Sequence, residues 1–338
     1  MGSVKDLKIM EEPSAHKSGR GQFIFSDRYS VFDWGEMPDH IDAKGTSICL
    51  VTAYFFEKAE EKGINTHYRG IVEDGEAKKI SDLKEPSDTL EVDLVNVKEP
   101  SVENEKYDYS DYSYDDSNIL IPIEIIYRNA LPEGSSVFRR LENGELNLEA
   151  LGLKEEPQPG QKLEPPILDV STKLEITDRY ISWNKAKQIC KLQDHELENI
   201  KEITYQVNDL ITTEAEKIGL SNEDGKIELG FDEDRNIILV DALGTLDESR
   251  FTYNGMSVSK EIARKYYRNT DWADEVSAAK KEDRLHWKDK VSSPPALPAE
   301  FANLISAVYK AYANELTNQK WFDVPAMDEI LNEISKFI

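Results

Sequence analysis

Two carboxylates carry the first chemical hint in this chain. In KIELGFDEDRNIILVD, residues 226–241, two apolar runs flank a polar turn, which is a β-hairpin signal. A turn centred on Asp234 and Arg235 sets Glu228 opposite Asp241, each beside apolar neighbours. Like charges facing one another on a sheet are destabilising, so the pair needs a reason. One is a hard cation: Mg²⁺ usually takes one or two carboxylates and completes its shell with substrate phosphates. Another is neutralisation by Lys226 or Arg250, or one acid turned to solvent. The hairpin alone does not choose between them. Two more segments put charge in apolar surroundings. IPIEIIYRN (121–129) holds Glu124 and Arg128. A strand-end arginine is a fork for phosphate or carboxylate, and GSS at 134–136 lets a backbone approach an anion. The plainer reading is a Glu124–Arg128 structural pair. TLDESRF (245–251) sets Arg250 a short loop after Asp241, where an anion could bridge it to a metal.

The elements that must position these groups are strands and helices in irregular order. QFIFSD (22–27) reads as a strand entering a loop, and TLEVDLVNV (89–97) alternates as a half-buried strand. Residues 46–63 read as a helix capped by Thr46 and stopped by Gly63. Residues 101–118 are rich in Tyr, Asp and Ser without helical period and read as an exposed loop or linker. The acids beside the tyrosines argue against base stacking. ILIPIEIIYRN re-enters order as an apolar strand and marks a domain boundary, giving 1–119 and 120–338. Residues 184–219 read as one long amphipathic helical region ending at Gly219. After a break at SSPPALP (292–298), Phe301, Leu304, Ile305, Val308, Tyr309 and Tyr312 form one helical stripe, and 326–337 another. These stripes fit either a core or a homo-oligomer interface. Without regular βαβ alternation or repeats, the class is α+β.

The totals narrow the functions. The 338 residues carry a formal charge of −25, with 39% hydrophobic and 32% charged residues. Such a surface disfavours nucleic acid and anionic membranes as general partners, so an anionic ligand needs a local basic pocket. No apolar run approaches the ~20 residues of a membrane helix, no signal-peptide core follows the N-terminus, and MGSVKD fails the myristoylation pattern at Asp6. Cys49 and Cys190 have no metal-like spacing and read as reduced core thiols, which suits a cytoplasmic protein. Phosphate-loop, dinucleotide, zinc-protease and serine-hydrolase motifs are absent from the sequence, and its five histidines are scattered.

Seven segments occur in the order and spacing of one family: GSVKDL (2–7), FSDRYSVFD (25–33), AKG (43–45), IPIEIIYRN with GSS (121–136), EPPILDVSTKLEITD (164–178), KIELGF (226–231) and LVDALGTLDESRF (239–251). The chain resembles SAICAR synthetase from its N-terminus to about residue 270, with extra sequence near 101–118 and after 270. The resemblance implies a small N-terminal antiparallel sheet lobe, akin to the nucleotide lobe of kinases and ATP-grasp enzymes. A larger α+β domain would follow, with ATP in the cleft between. It implies a ligase that joins L-aspartate to the carboxylate of CAIR (4-carboxy-aminoimidazole ribonucleotide) with ATP and Mg²⁺.

Carried over by position, Glu228 and Asp241 resemble the Mg²⁺ ligands. Lys5 resembles the first-strand lysine on the ATP phosphates, and Lys226 a lysine facing the reacting carboxylate. Arg128, Ser135 and Arg250 resemble the holders of the CAIR phosphate and neighbouring anions. Lys173 and Asp178 match nucleotide- and substrate-side positions. Asp33 and Lys44 fall in a mobile loop that closes the site, and residues 120–122 resemble the hinge that meets adenine. Four positions depart from the family pattern: Ser3 where Lys is common, Ala242 where Glu is usual, and Leu246 and Glu248 in place of a proline and a small residue. A kinase-like phosphotransferase on the same scaffold would keep the acid pair and Lys5 without the CAIR contacts. A non-catalytic acidic binding protein would need no paired buried carboxylates.

Overall fold

The computed structural model describes residues 4–104, 106–283 and 286–338; Gly2 and Ser3, singled out above, lie outside them. Strands β1 (Lys5–Glu11) and β2 (Gly19–Phe25) lead through a loop into helix α1 (Lys44–Glu61), followed by β3 (Tyr68–Glu73), β4 (Glu76–Lys78) and β5 (Thr89–Leu94). These five strands form one antiparallel sheet, ordered β1-β2-β5-β3-β4. Helix α1 starts two residues earlier than its sequence suggests. Its cap is not Thr46: Asp27, on the preceding loop, accepts hydrogen bonds from the backbone N–H of Ala43 (3.2 Å) and Gly45 (3.0 Å). Gly45 must lack a side chain, because a Cβ there would stand 2.4 Å from the Phe25 carbonyl oxygen.

The segment 101–118 is not an exposed linker. It holds a small hairpin, β6 (Ser101–Glu103) and β7 (Lys106–Asp108), and buries Tyr109 and Tyr112. The Tyr107 hydroxyl accepts a hydrogen bond from the Ile176 N–H (2.8 Å), and the Tyr109 hydroxyl donates to Glu175 (3.0 Å). The rings have an apolar side to bury and a hydroxyl to satisfy. The acids between them turn outward, and this composition disguised the order.

The second sheet is built on β8 (Ile119–Leu131). After α2 (Ser136–Glu142), β9 (Gln161–Thr172) pairs with one side of β8. The expected long helix is two, α3 (Trp183–Ile189) and α4 (Asp194–Lys217), separated where Lys191 takes a left-handed backbone (φ 51°). Strand β10 (Ser221–Phe231) pairs with the other side of β8, with β11 (Ile237–Val240) and with β12 (Ser249–Tyr253); β13 (Met256–Val258) completes the sheet. Helices α5 (Glu261–Arg268), α6 (Asp271–Glu282), α7 (Ala299–Thr317) and α8 (Met327–Ile334) follow.

Period two explains both faces of β8. Ile123, Ile125 and Tyr127 enter the core, while Glu124, Ile126 and Arg128 share the opposite face. One hydrophobic cluster runs from Phe25 to Ile334 and joins both sheets, with α1 packed on β2, β3 and β5 and against α7. The C-terminal stripe therefore lies inside this chain: Phe301, Ile305, Val308, Tyr309 and Tyr312 are all buried. Among the described residues no helix is long and apolar enough to cross a membrane.

Candidate active site

The opening hairpin forms, but its register differs by one residue. Glu228 lies opposite Val240, not Asp241. The turn closes through Asp232, whose carboxylate accepts from the N–H groups of Asp234 and Asn236, and Arg235 takes a left-handed backbone (φ 62°). The extra turn residue moves Asp241 past the strand end, where its own φ is 71°. Glu228 does face a like charge, on the other neighbour: its partner across β8 is Glu124.

Lysines resolve that repulsion. Lys173, at the end of β9, stands 2.6 Å from Glu228 and 3.7 Å from Glu124. Lys226, two residues along the same face of β10, stands 2.9 Å from Glu124, 3.2 Å from Glu248 and 3.6 Å from Glu228. Lys5, on β1 of the other sheet, pairs with Asp241 and lies 4.3 Å above the Phe23 ring. Three buried carboxylate oxygens here are held by ammoniums alone: Asp241 Oδ1 by Lys5, Glu248 Oε2 by Lys226 at 3.2 Å and Glu228 Oε1 by Lys226 at 3.6 Å. Their residues, with Lys5, Lys173 and Lys226, line a cleft of about 320 Å³.

The charges are strongly interdependent. Burial pushes the Lys5 ammonium down to about 8, while Glu228 and Glu248 pull it the other way. Burial opposes the charge of Lys226, yet Glu248, Glu124 and Glu228 hold its ammonium well above the ordinary range. Glu228 is buried too, and the Lys173, Lys226 and Lys5 ammoniums keep its carboxyl below the usual value. Burial raises Glu124, with Lys226 working against the rise and Glu228 adding to it. Asp178, on the exposed rim and not in the cleft wall, is raised by partial burial, with Asp33 adding to the shift and Lys226 opposing it.

A second charged cluster continues along the same sheet face. Arg128, 1% exposed, reaches Asp224 (3.2 Å) and Asp169 (3.1 Å), while Arg140 also pairs with Asp169. Arg250, opposite Asp224 on β12, donates from Nε to its Oδ1 at 2.7 Å. No Glu124–Arg128 pair exists; each side chain finds its partners across strands. Ser135 caps α2 by accepting from the Val137 N–H, and Ser136 donates to the Tyr180 hydroxyl (2.8 Å). A Cβ on Gly134 would lie 3.4 to 3.6 Å from Arg268, Glu261 and Arg250, so the GSS turn stands against this cluster.

The expected mobile loop is tied down by the chain's last third. Asp33 lines the cleft and pairs with Lys280 on α6, whose ammonium also donates to the Phe32 carbonyl (2.7 Å). Trp34 packs between Trp272 and Trp287. Lys44 is fully buried behind the cleft, 2.6 Å from Asp247, which also accepts from the Tyr309 hydroxyl at 2.6 Å. Sequence reasoning missed several cleft residues: Lys260 and Arg264, one helical turn apart beside α5, and Tyr29, Ser30, Asp247 and Tyr309. It also missed Asp169, Asp224 and Tyr180 in the arginine cluster. The period-two run Asp224, Lys226, Glu228 was a usable signal for one of them.

The arrangement can gather anions on fixed cations inside a charge-rich cleft. Glu228 and Asp241 suit Mg²⁺: both are hard carboxylates lining the cleft and neutralised there by lysine ammoniums. Among the described residues no cluster of three His, Cys, Asp or Glu side chains is arranged to hold a metal, so phosphates or water would supply the remaining ligands.

Comparison with known proteins points the same way. The SAICAR synthetase family profile matches residues 14–280. A protein of Archaeoglobus fulgidus, provisionally named phosphoribosylaminoimidazole-succinocarboxamide synthase, is 48% identical over 338 residues, 100% of both chains. SAICAR synthase of Saccharomyces cerevisiae, solved in complex with SAICAR, matches with TM-score 0.63 at 23% identity, covering 95% of this chain and 94% of its own. A SAICAR synthetase (Type-2) in complex with ADP matches with TM-score 0.57 at 20% identity, covering 88% and 99%.

Proposed function

This chain belongs to the SAICAR synthetase family, and we propose that the charged face of its central sheet carries out the family's ligation. The protein is an ATP-dependent ligase of purine biosynthesis that joins L-aspartate to the carboxylate of CAIR, giving SAICAR, ADP and phosphate. The observation that supports the site is the alternation of charge along β8, β9 and β10, with buried carboxylate oxygens and ammoniums lining one cleft between the two sheets.

A carboxylate is a poor acyl donor. In the reaction as we read it, a CAIR carboxylate oxygen attacks the γ-phosphorus, ADP leaves, and the aspartate amine attacks the acyl carbon. The amine loses a proton and phosphate departs. Lys5 holds the ATP phosphates as they part, and Lys173 holds nucleotide-side oxygens. Lys226 faces the reacting carboxylate and offsets its charge as the phosphoryl group arrives. Arg128, Ser135 and Arg250 hold the CAIR phosphate, for which arginine's planar fork is suited. Asp178, on the rim near Lys226, lies on the substrate side. Glu228 and Asp241 would hold Mg²⁺, which supplies positive charge at the transferring phosphoryl group. We place the enzyme in the cytoplasm, which suits its two free, buried cysteines.

The test is ADP release from ATP and Mg²⁺ with CAIR, with and without L-aspartate. Release requiring both, with SAICAR in matching yield, is expected. ATP binding without release would favour a phosphotransferase on the same scaffold.

A further inference from the structure

Residues 31–34 form a turn that their sequence does not favour. Phe32 and Asp33 both take positive φ, 54° and 62°, and the Trp34 N–H donates to the Val31 carbonyl at 3.1 Å. This is the pattern of a primed β-turn, whose two central positions usually carry Asn, Asp or Gly. Asp33 tolerates it. A bulky residue such as Phe32 does not, because its Cβ crowds the backbone in that region. Such a conformation persists only where the surroundings over-determine it, and such places cluster at ligand clamps.

The surroundings here are α6 and the segment after it. The Lys280 ammonium donates to the Phe32 carbonyl (2.7 Å) and to Asp33 (2.8 Å), and stands 4.6 Å above the Trp287 ring. The Phe32 ring stacks on Trp272 with centroids 6.0 Å apart. Nearer the loop's end, Asp39 accepts from the Tyr29 hydroxyl (2.8 Å) and from the Leu297 N–H (3.3 Å). The Asp33 side chain is 85% exposed, so its ion pair with Lys280 alone contributes little. The bond to the Phe32 carbonyl is the one that fixes the backbone. That backbone sets part of the cleft wall, because Tyr29, Ser30 and Asp33 all line it.

We propose that Lys280 is a positioning residue of the ligase, which fixes the Phe32–Asp33 turn so that the loop 26–44 stands closed on the cleft before any substrate arrives. The proposal rests on the ligase reading above. A loop already ordered spares the substrate the entropy of ordering it. A loop closed for only a fraction of the time weakens apparent binding by that fraction, and saturating substrate restores it. Loss of Lys280 should therefore show in KM and not in kcat.

The experiment combines steady-state kinetics with hydrogen exchange of a peptide covering residues 29–37, in the wild-type full chain, Lys280→Met and Lys280→Arg. The N–H groups of Trp34, Gly35 and Met37 donate within the loop and report its order. In the wild type the peptide should be protected without ligand, and unchanged by CAIR with ADP and Mg²⁺. In Lys280→Met the protection should be lost and then regained with those ligands. KM for CAIR should rise about tenfold while kcat stays within about twofold. Lys280→Arg, which keeps the charge and the donors, should restore both readouts. A wild-type peptide that gains protection on ligand addition would show a loop that is not preformed, and overturn the proposal. Wild-type exchange in Lys280→Met, or a loss of kcat at unchanged KM, overturns it too. Faster exchange throughout the molecule would mean that Lys280 supports the fold at large, and the proposal falls. A wild-type protein that makes no SAICAR would sink the ligase reading, whereas the ligand-free exchange tests the preformed loop separately.

Discussion

Two charged clusters share one face of the same sheet, four residues apart on both β8 and β10, and they solve like-charge repulsion differently. At Arg128, Asp169, Asp224, Arg140 and Arg250 the charges are arginines and aspartates, linked in one chain in which each aspartate bridges two arginines, with Arg140 reaching in from α2. At Glu124, Lys173, Lys226, Glu228 and Glu248 they are lysines and glutamates, where one ammonium, that of Lys226, is shared among three carboxylates. A guanidinium is a rigid fork; an ammonium is a point charge on a flexible stem. The arginine cluster is thus organised before a ligand arrives, whereas the lysine cluster has charge to redistribute. This suits an unchanging phosphate in the first and a reacting carboxylate in the second.

Five substitutions can break or sharpen that contrast. The largest effect belongs to Asp224→Asn, which leaves Arg128 and Arg250 without their shared carboxylate. Removing one partner of a buried ion pair costs about 3–5 kcal/mol, to be read by urea denaturation. If Glu124→Gln, from the lysine cluster, destabilises the protein equally, the contrast is lost. Next is Asp241→Asn, expected to lower Mg²⁺-dependent turnover by ~100-fold or more, the scale of losing one preorganised electrostatic group, with little change in melting temperature. Retained turnover would remove Asp241 from the metal assignment.

Arg128→Lys keeps the charge but loses the fork, and should raise KM for CAIR by roughly tenfold, the loss of about one charged hydrogen bond. An unchanged KM would make Arg128 purely structural. The smallest effect is a change of profile. Lys5 is cationic below about 8 and loses its charge as pH rises through that value. The kcat/KM for ATP should therefore fall on the alkaline side near pH 8, since this parameter reports the free enzyme. Lys5→Arg should abolish that limb, with little change at pH 7.

The contrast also explains what the sequence could reveal. Apolar runs located β8 and β10, and the apolar setting of Glu124, Arg128 and Glu228 marked them as unusual. The pairing itself was not legible. One extra residue in the 232–236 turn moved Asp241 off the strand and replaced the expected Glu228–Asp241 opposition with Glu228–Glu124. A one-residue slip changes every cross-strand partner, and local composition does not encode it. Lys44 shows the other limit: its motif placed it near the site, but only the contacts with Asp247 and Tyr309 from α7 show that it lies behind the cleft. Tyr109 and Tyr112 were hidden by their acidic neighbours, because an averaged composition does not tell which side of an alternating segment is buried.

The anchoring of residues 26–44 by the C-terminal third has a consequence for how the protein is made. Ser306 donates to the Asp42 carbonyl, Lys280 to that of Phe32, and α7 covers α1. These contacts join residues 248 to 264 positions apart. A ribosome releases the N-terminal sheet long before it has synthesised the helices that hold the cleft's loop. Contacts of such separation form late, after their loop-closure entropy has been met. The N-terminal sheet must therefore wait, with one flank of α1 uncovered, until α7 emerges, and a nascent chain halted before residue 299 would present that apolar flank to chaperones.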